Sequence, residues 1–86
     1  MHYVYLLKSK TNDKWYTGST DNLRKRLKEH NDGKSAWTRK GIPWMLIYYE
    51  ASYDKNDTRS RELYLKSGMG KRYLKNRLRR FLSLTG

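Results

Sequence analysis

Two runs rich in aromatic and β-branched residues, HYVYLLK (2–8) and WYTGS (15–19), bracket the polar cluster SKTNDK (9–14), and nothing else in the chain restricts the fold as much. Such side chains suit a pleated, half-buried surface, and Ser, Asn and Asp between them supply turn conformations. The stretch is read as a β-hairpin with Asn12 and Asp13 at its tip. Thr20 or Asp21 can then cap a helix that reaches about Asn31, because a short side-chain oxygen there accepts an orphan N–H of the first turn. At a helical repeat of about 100° per residue, Leu23, Leu27 and His30 share one stripe with Arg26 on its flank. Arg24, Lys25, Lys28 and Glu29 fall on the other side. A guanidinium and an imidazole therefore sit on the packed side, where an isolated charge is costly and a partner is needed.

The segment NDGKSAWTRKGIP (31–43) is a basic loop punctuated by Gly33, Gly41 and Pro43, with Trp37 among Lys34, Arg39 and Lys40. A loop of this length in a small domain is more often functional than idle. WMLIYYEASY (44–53) reads as a third strand, and its apolar middle places it at the centre of the sheet. Asp54 or Asp57 starts a second helix carrying Arg59, Glu62, Leu63 and Lys66, which SGMG (67–70) breaks. A last helix from Lys71 to about Leu84 sets Leu74, Leu78, Phe81 and Leu82 on one face, with Arg72, Lys75 and Arg79 as a cationic ridge beside it. The 86 residues leave room for one domain, 1–86.

Charge narrows the partners. The 20 Lys and Arg against 8 Asp and Glu give a net charge of +12, a field that attracts polyanions. Nucleic acid is the first candidate, and an anionic membrane surface comes second. Eight tyrosines and three tryptophans fill the core while keeping a polar edge. With no cysteine, disulfides, thiol catalysis and cysteine-bound zinc are excluded, which suits a cytoplasmic protein. No apolar run is long enough to span a bilayer, and MHYVYLLKSK lacks the design of a secretory signal.

Hydrolysis of a nucleic-acid backbone needs positive charge for the developing oxyanions and a base to activate water. A divalent metal serves both, and magnesium takes oxygen ligands with only one or two protein carboxylates. Asp13, Asp21, Asp32, Asp54 and Asp57 lie in turns or at helix starts, where capping explains them, and Glu29 is on a solvated face. Glu62 and, less securely, Glu50 remain as metal candidates. The other reading of Glu62 is a helix-surface pair with Lys66 or Arg59, worth a few tenths of a kcal/mol. Tyr5 and Tyr16 read as core aromatics or as proton-handling phenols. A phenol, with an ordinary pKa of about 10, acts as a base at neutral pH only where cations favour phenolate. Arg26 would supply such charge, or would simply snorkel past the helix seam. His30 faces the same choice between function and an ordinary edge hydrogen bond. The chain has no HExxH motif and no P-loop.

Taken together, Tyr3-Val4-Tyr5, Tyr16-Thr17-Gly18, DNLRKRLKEHNDGK (21–34), TRKGIPWMLIYYE (38–50) and RSRELYLKSG (59–68) resemble the GIY-YIG nuclease superfamily, in particular its small stand-alone members. The likeness covers nearly the whole chain. It departs at Tyr3 for the family's first glycine, Val4 for its isoleucine, and Thr17 for the second isoleucine. The resemblance implies an α+β fold, a three-stranded antiparallel sheet flanked by helices in the order β-β-α-β-α-α. It also implies magnesium-dependent cleavage of DNA phosphodiesters, with manganese as a substitute ion. On matched positions, Tyr5 is the general base or orients the attacking water, and Tyr16 helps to position water or phosphate. Arg26 binds the scissile phosphate with His30 assisting, Glu62 holds the single metal, and Gly18 permits close backbone packing. These side chains are expected to share one cleft. Lys34, Arg39, Lys75 and Arg79 are the expected DNA backbone contacts and Trp37 a stacking residue, so branched or single-stranded DNA would be recognised by shape rather than by base sequence. The rival readings are a nucleic-acid-binding module without catalysis, on DNA, RNA or the ribosome, and a basic adaptor for an acidic protein surface.

Overall fold

The hairpin forms as the residues dictate. In a computed structural model that describes residues 1–85, β1 (His2–Ser9) pairs antiparallel with β2 (Trp15–Thr20), setting Tyr5 opposite Gly18 and Leu7 opposite Tyr16. Ser9 closes the turn: its N–H donates to the Lys14 carbonyl (2.9 Å), and its Oγ accepts the N–H of Thr11 and of Asn12. Asp13 takes a positive φ of 61°, a conformation Asp tolerates better than most residues.

β3 (Trp44–Ser52) pairs antiparallel with β1, so the strand order is β2-β1-β3. This corrects the expectation of a central third strand. The strand buried on both faces is β1, through Val4, Tyr5, Leu6 and Leu7, whereas Met45 to Tyr48 of β3 are only partly buried and Tyr49 is exposed. An apolar run alone does not distinguish a central strand from an edge strand with one well-covered face.

Alternation along β1 divides the core into two layers. Val4 and Leu6 pack with Leu65 and Leu74 on one face. Tyr5 and Leu7 pack with Trp44, Tyr16, Leu23 and Leu27 on the other. The second face is covered by α1 (Leu23–Asn31), capped by Asn22, whose side chain accepts the Lys25 N–H at 3.1 Å. Thr20, one of the expected caps, instead accepts the Asn22 N–H. The loop that follows tightens into a 3-10 turn at Arg39–Gly41 before β3.

The first face is covered by α2 (Lys55–Lys66), which Asp54 caps by accepting from Asn56 and Asp57, and by α3 (Gly68–Arg77). Ser67 both ends α2 and caps α3, accepting the Gly70 N–H at 3.1 Å. A Cβ on Gly70 would collide with the Tyr64 and Leu65 backbone, so glycine is what lets the two helices turn so tightly. SGMG thus separates the helices as expected, but Gly68 to Gly70 already belong to α3. The expected continuous last helix is also two: α4 (Arg79–Thr85) follows Leu78, which leaves helical geometry (φ −102°, ψ 17°) while packing on the Val4–Leu65 layer. The fold is α+β with a three-stranded antiparallel sheet, and no helix among the described residues is long and apolar enough to cross a membrane.

Candidate active site at the free edge of the sheet

Tyr5 springs from the central strand, but its ring lies across Gly18 of the edge strand. A Cβ at Gly18 would stand 2.5 Å from the phenol oxygen and 2.7 Å from Cζ. Only a missing side chain leaves that passage open. The Tyr5 hydroxyl meets His30 Nε2 at 2.9 Å, and His30 Nδ1 meets Thr38 Oγ1 at 2.8 Å. Thr38 is itself fixed: its hydroxyl lies 3.4 Å from the Ser35 carbonyl, and its own carbonyl accepts the Trp44 indole N–H at 2.7 Å. Tyr5, His30 and Thr38 are 3%, 0% and 1% exposed, so this chain of polar groups is buried within the domain.

Tyr16 packs edge-on to His30, with centroids 5.0 Å apart, and Arg26 lies beside the Tyr5 hydroxyl while pairing with Glu29 at 3.1 Å. Burial pushes Tyr5 up to about 12, against the pull of the Arg26 guanidinium. Burial, and then the Arg26 charge, lowers His30 to about 4. At neutral pH the pair is therefore a phenol on a neutral imidazole.

The structure brings Tyr5, Tyr16, Arg26 and His30 to one face, but Glu62 does not share it. Glu62 belongs to the α2 layer and reaches the edge of β2 from the other face, at Ser19, near enough for its charge to act on Tyr5. Thr58, Glu62 and Leu65 form the buried stripe of α2, because spacings of four and three keep them on one side of the helix. There the Glu62 carboxylate accepts from Ser19 Oγ at 2.6 Å and pairs with Lys66 at 2.8 Å and Arg59 at 3.6 Å. Leu63, its apolar neighbour in sequence, is 57% exposed. Ser19 directly follows Gly18, so phenol and carboxylate flank consecutive residues of β2 from opposite sides. β2 has no outer neighbour in the sheet, so the two faces meet at that edge. The Glu62 charge reaches Tyr5, where it opposes ionisation. Burial by itself would raise the Glu62 carboxyl, but Lys66, Ser19 and Arg59 together hold it below the usual range. Glu50, the other metal candidate, is committed to Arg61 through two 2.9 Å bonds and to the Tyr48 hydroxyl.

Among the described residues no group of three His, Asp or Glu side chains is placed to hold a metal. A single buried carboxylate with a hydroxyl beside it still fits magnesium, which keeps most of its waters. The competing partners, Lys66 and Arg59, are 47% and 68% exposed in their side chains.

Cations flank the same edge. A groove of about 520 Å³ runs past Trp15, Tyr16 and Thr17, with Lys14, Lys66, Lys71 and Lys75 on its walls. Its one acid, Asp13, pairs with Lys8 at 3.7 Å. On the other face a second groove joins Tyr16 and Trp15 to Lys40 and to Trp37, which is 92% exposed. Of the expected DNA contacts, Lys75 and Trp37 line these grooves. Lys34, Arg39 and Arg79 line neither, and Arg39 Nε instead ties the loop by donating to the Gly33 carbonyl at 3.0 Å. Sequence reasoning missed Ser19, Thr38, Lys14, Lys66 and Lys71. Only the lysines carried a signal, as charge on the hairpin turn and the helices that bound the edge.

The sequence profile of the GIY-YIG catalytic domain matches residues 1–76. This chain belongs to the GIY-YIG family. The GIY-YIG family is one of endonucleases that act on DNA. Relatives of this GIY-YIG chain include a UPF0213 protein of Clostridium perfringens, 48% identical over 67 residues that make up 77% of this chain and 71% of that one. Another, a UPF0213 protein of Staphylococcus haemolyticus, is 40% identical over 67 residues, 77% of this chain and 80% of that one. The solution NMR structure of a UPF0213 protein from Bacillus halodurans is similar across 99% of this chain and 85% of that one, with a TM-score of 0.53 and 34% identity.

Proposed function

We propose that this GIY-YIG protein is a divalent-metal-dependent DNA endonuclease that hydrolyses phosphodiesters. The observation that carries the reading is the 2.9 Å bond between the Tyr5 hydroxyl and a neutral, buried His30, beside Arg26 and at an open sheet edge. As the Tyr5 proton passes to His30 Nε2, the phenolate oxygen takes a proton from water; the resulting hydroxide attacks phosphorus as the bond to the leaving sugar oxygen breaks, and that oxygen is protonated as His30 gives its proton up. Arg26 meets the charge that builds on the phosphate oxygens, and burial keeps the imidazole unprotonated at neutral pH, so that one ring nitrogen is free to accept. Tyr16 walls the cleft and orients the phosphate. Glu62, set by Ser19, would hold magnesium, or manganese in its place. Such an ion supplies positive charge for the phosphate and offsets the carboxylate's effect on Tyr5. The lysine-lined grooves suit a DNA backbone, in single-stranded or branched form, rather than base-edge readout.

The saturation of Glu62 by Lys66, Arg59 and Ser19 favours a second reading, a nucleic-acid-binding module without catalysis. One assay separates the two. Plasmid, single-stranded and branched DNA are incubated with magnesium, manganese or chelator, using the wild-type protein and Glu62→Ala. The endonuclease cuts only with metal, and Glu62→Ala binds DNA without cutting. Binding with no cutting by either protein supports the module.

A further inference from the structure

We propose that Thr38 is a positioning residue that sets the tautomer of His30 and so fixes the direction in which the Tyr5 proton can move. The inference rests on the nuclease reading for its catalytic consequence, but not for the tautomer itself.

A neutral imidazole has one N–H and one lone pair, and its partners decide which nitrogen holds the proton. Tyr5 and Thr38 occupy the two nitrogens of His30, at 2.9 and 2.8 Å. Each hydroxyl can donate or accept, so the ends of the chain settle its sense. At one end the Arg26 guanidinium, which can only donate, lies beside the Tyr5 oxygen, leaving the phenol proton for His30 Nε2. At the other end the Ser35 carbonyl, which can only accept, stands 3.4 Å from Thr38 Oγ1. With the Thr38 proton directed there, Thr38 Oγ1 receives the proton of His30 Nδ1. Every donor is then used in one order: Tyr5 hydroxyl to Nε2, Nδ1–H to Thr38, and Thr38 hydroxyl to Ser35. In the reverse order the phenol oxygen would accept from both Arg26 and Nε2, and the Thr38 hydroxyl would give up the Ser35 carbonyl to donate to Nδ1. The Trp44 indole, bonded to the Thr38 carbonyl at 2.7 Å, holds this residue in place within the loop. The other titratable groups facing His30 are Tyr16, packed against its ring, and Glu29, whose charge acts on it from the same helix.

Only with Nε2 unprotonated can His30 receive the Tyr5 proton. With Nε2 protonated, the imidazole instead donates to the phenol oxygen and cannot serve as its acceptor. A threonine with no contact to substrate would thus decide whether Tyr5 works as a base.

The test is nitrogen-15 NMR of the His30 ring in the full, uniformly labelled chain at pH 7, for wild type, Thr38→Ser and Thr38→Val. The wild type and Thr38→Ser are expected to hold the proton on Nδ1, and Thr38→Val to shift it to Nε2. Cleavage should fall at least about tenfold in Thr38→Val and recover in Thr38→Ser. A wild-type imidazole protonated at Nε2 overturns the proposal, as does an unchanged Nδ1–H in folded Thr38→Val. Should Thr38→Val fail to fold, the wild-type and Thr38→Ser tautomers still decide the matter. A protein that shows the expected tautomers but cuts no DNA removes the nuclease reading and leaves the tautomer assignment standing.

Discussion

Tyr5 and His30 are displaced in opposite senses, the phenol up to about 12 and the imidazole down to about 4, and both displacements favour the uncharged pair. Transfer of the proton from phenol to imidazole is therefore uphill at neutral pH, and because the proton stays within the pair, the cost is the same at any pH between those two values. The cleavage rate is therefore expected to stay nearly flat from about pH 6 to 9, since neither Tyr5 nor His30 exchanges a proton with solvent in that range. A rate that climbs about tenfold per pH unit across that range would mean that Tyr5 loses its proton to solvent and not to His30. Tyr5→Phe keeps the ring over Gly18 and should bind DNA as well as wild type while losing about 10²-fold or more in rate. His30 also links stability to pH. The unfolded imidazole takes a proton below its ordinary value of about 6.5, whereas the folded one resists until about 4, so stability falls as pH drops across that window. Urea unfolding at pH 7 and 4.5 should show a loss on the order of 1–2 kcal/mol, after allowance for water at the cleft, that His30→Gln lacks. Why these residues could be named from sequence is a matter of range. Tyr5, Tyr16, Arg26 and His30 lie within 26 positions, where hairpin register and one helical stripe fix their relations. Thr38 was illegible because its part is a hydrogen bond that no periodicity encodes.

At the scale of elements, the local signals served well and the global ones less so. Asp54 caps α2 as its position before a helical pattern suggests, because capping involves only neighbouring residues. Strand order depends on which strand is covered on both faces, and the apolar middle of β3 gave a misleading cue. The layer of Glu62 follows from the turn between β3 and α2, which sends the helix to the face away from α1. The α2–α3 turn itself yields a prediction. Gly68 and Gly70 are both helical, yet a Cβ at Gly68 meets nothing within 4 Å while one at Gly70 meets backbone that cannot yield. Gly68→Ala should leave stability unchanged or raise it slightly, by up to about 1 kcal/mol. Gly70→Ala should lower it by about 1–3 kcal/mol despite the better helix propensity of alanine. Denaturant midpoints of the two variants make the comparison, and equal effects would mean that the helices do not meet as described.

Across the whole molecule, a net charge of +12 gives affinity for any polyanion, but its distribution decides how that affinity is used. Lys14, Lys66, Lys71 and Lys75 gather on one groove at the free edge of β2, and the only acid lining it is already paired with Lys8. A DNA backbone laid there would replace condensed counterions with these ammonium groups, so the logarithm of the binding constant should fall steeply and linearly with that of salt concentration. Each phosphate contact removed lowers the slope by about one. The double variant Lys71→Ala/Lys75→Ala should therefore reduce it by about two, uniformly across DNA sequences. Arg79→Ala, altering a residue that lines neither groove, should change the slope much less. Fluorescence anisotropy titrations from about 50 to 200 mM salt measure all three proteins. If Arg79→Ala lowers the slope as much as the double variant does, the backbone runs along the helical end of the molecule and not along the edge that holds Tyr5.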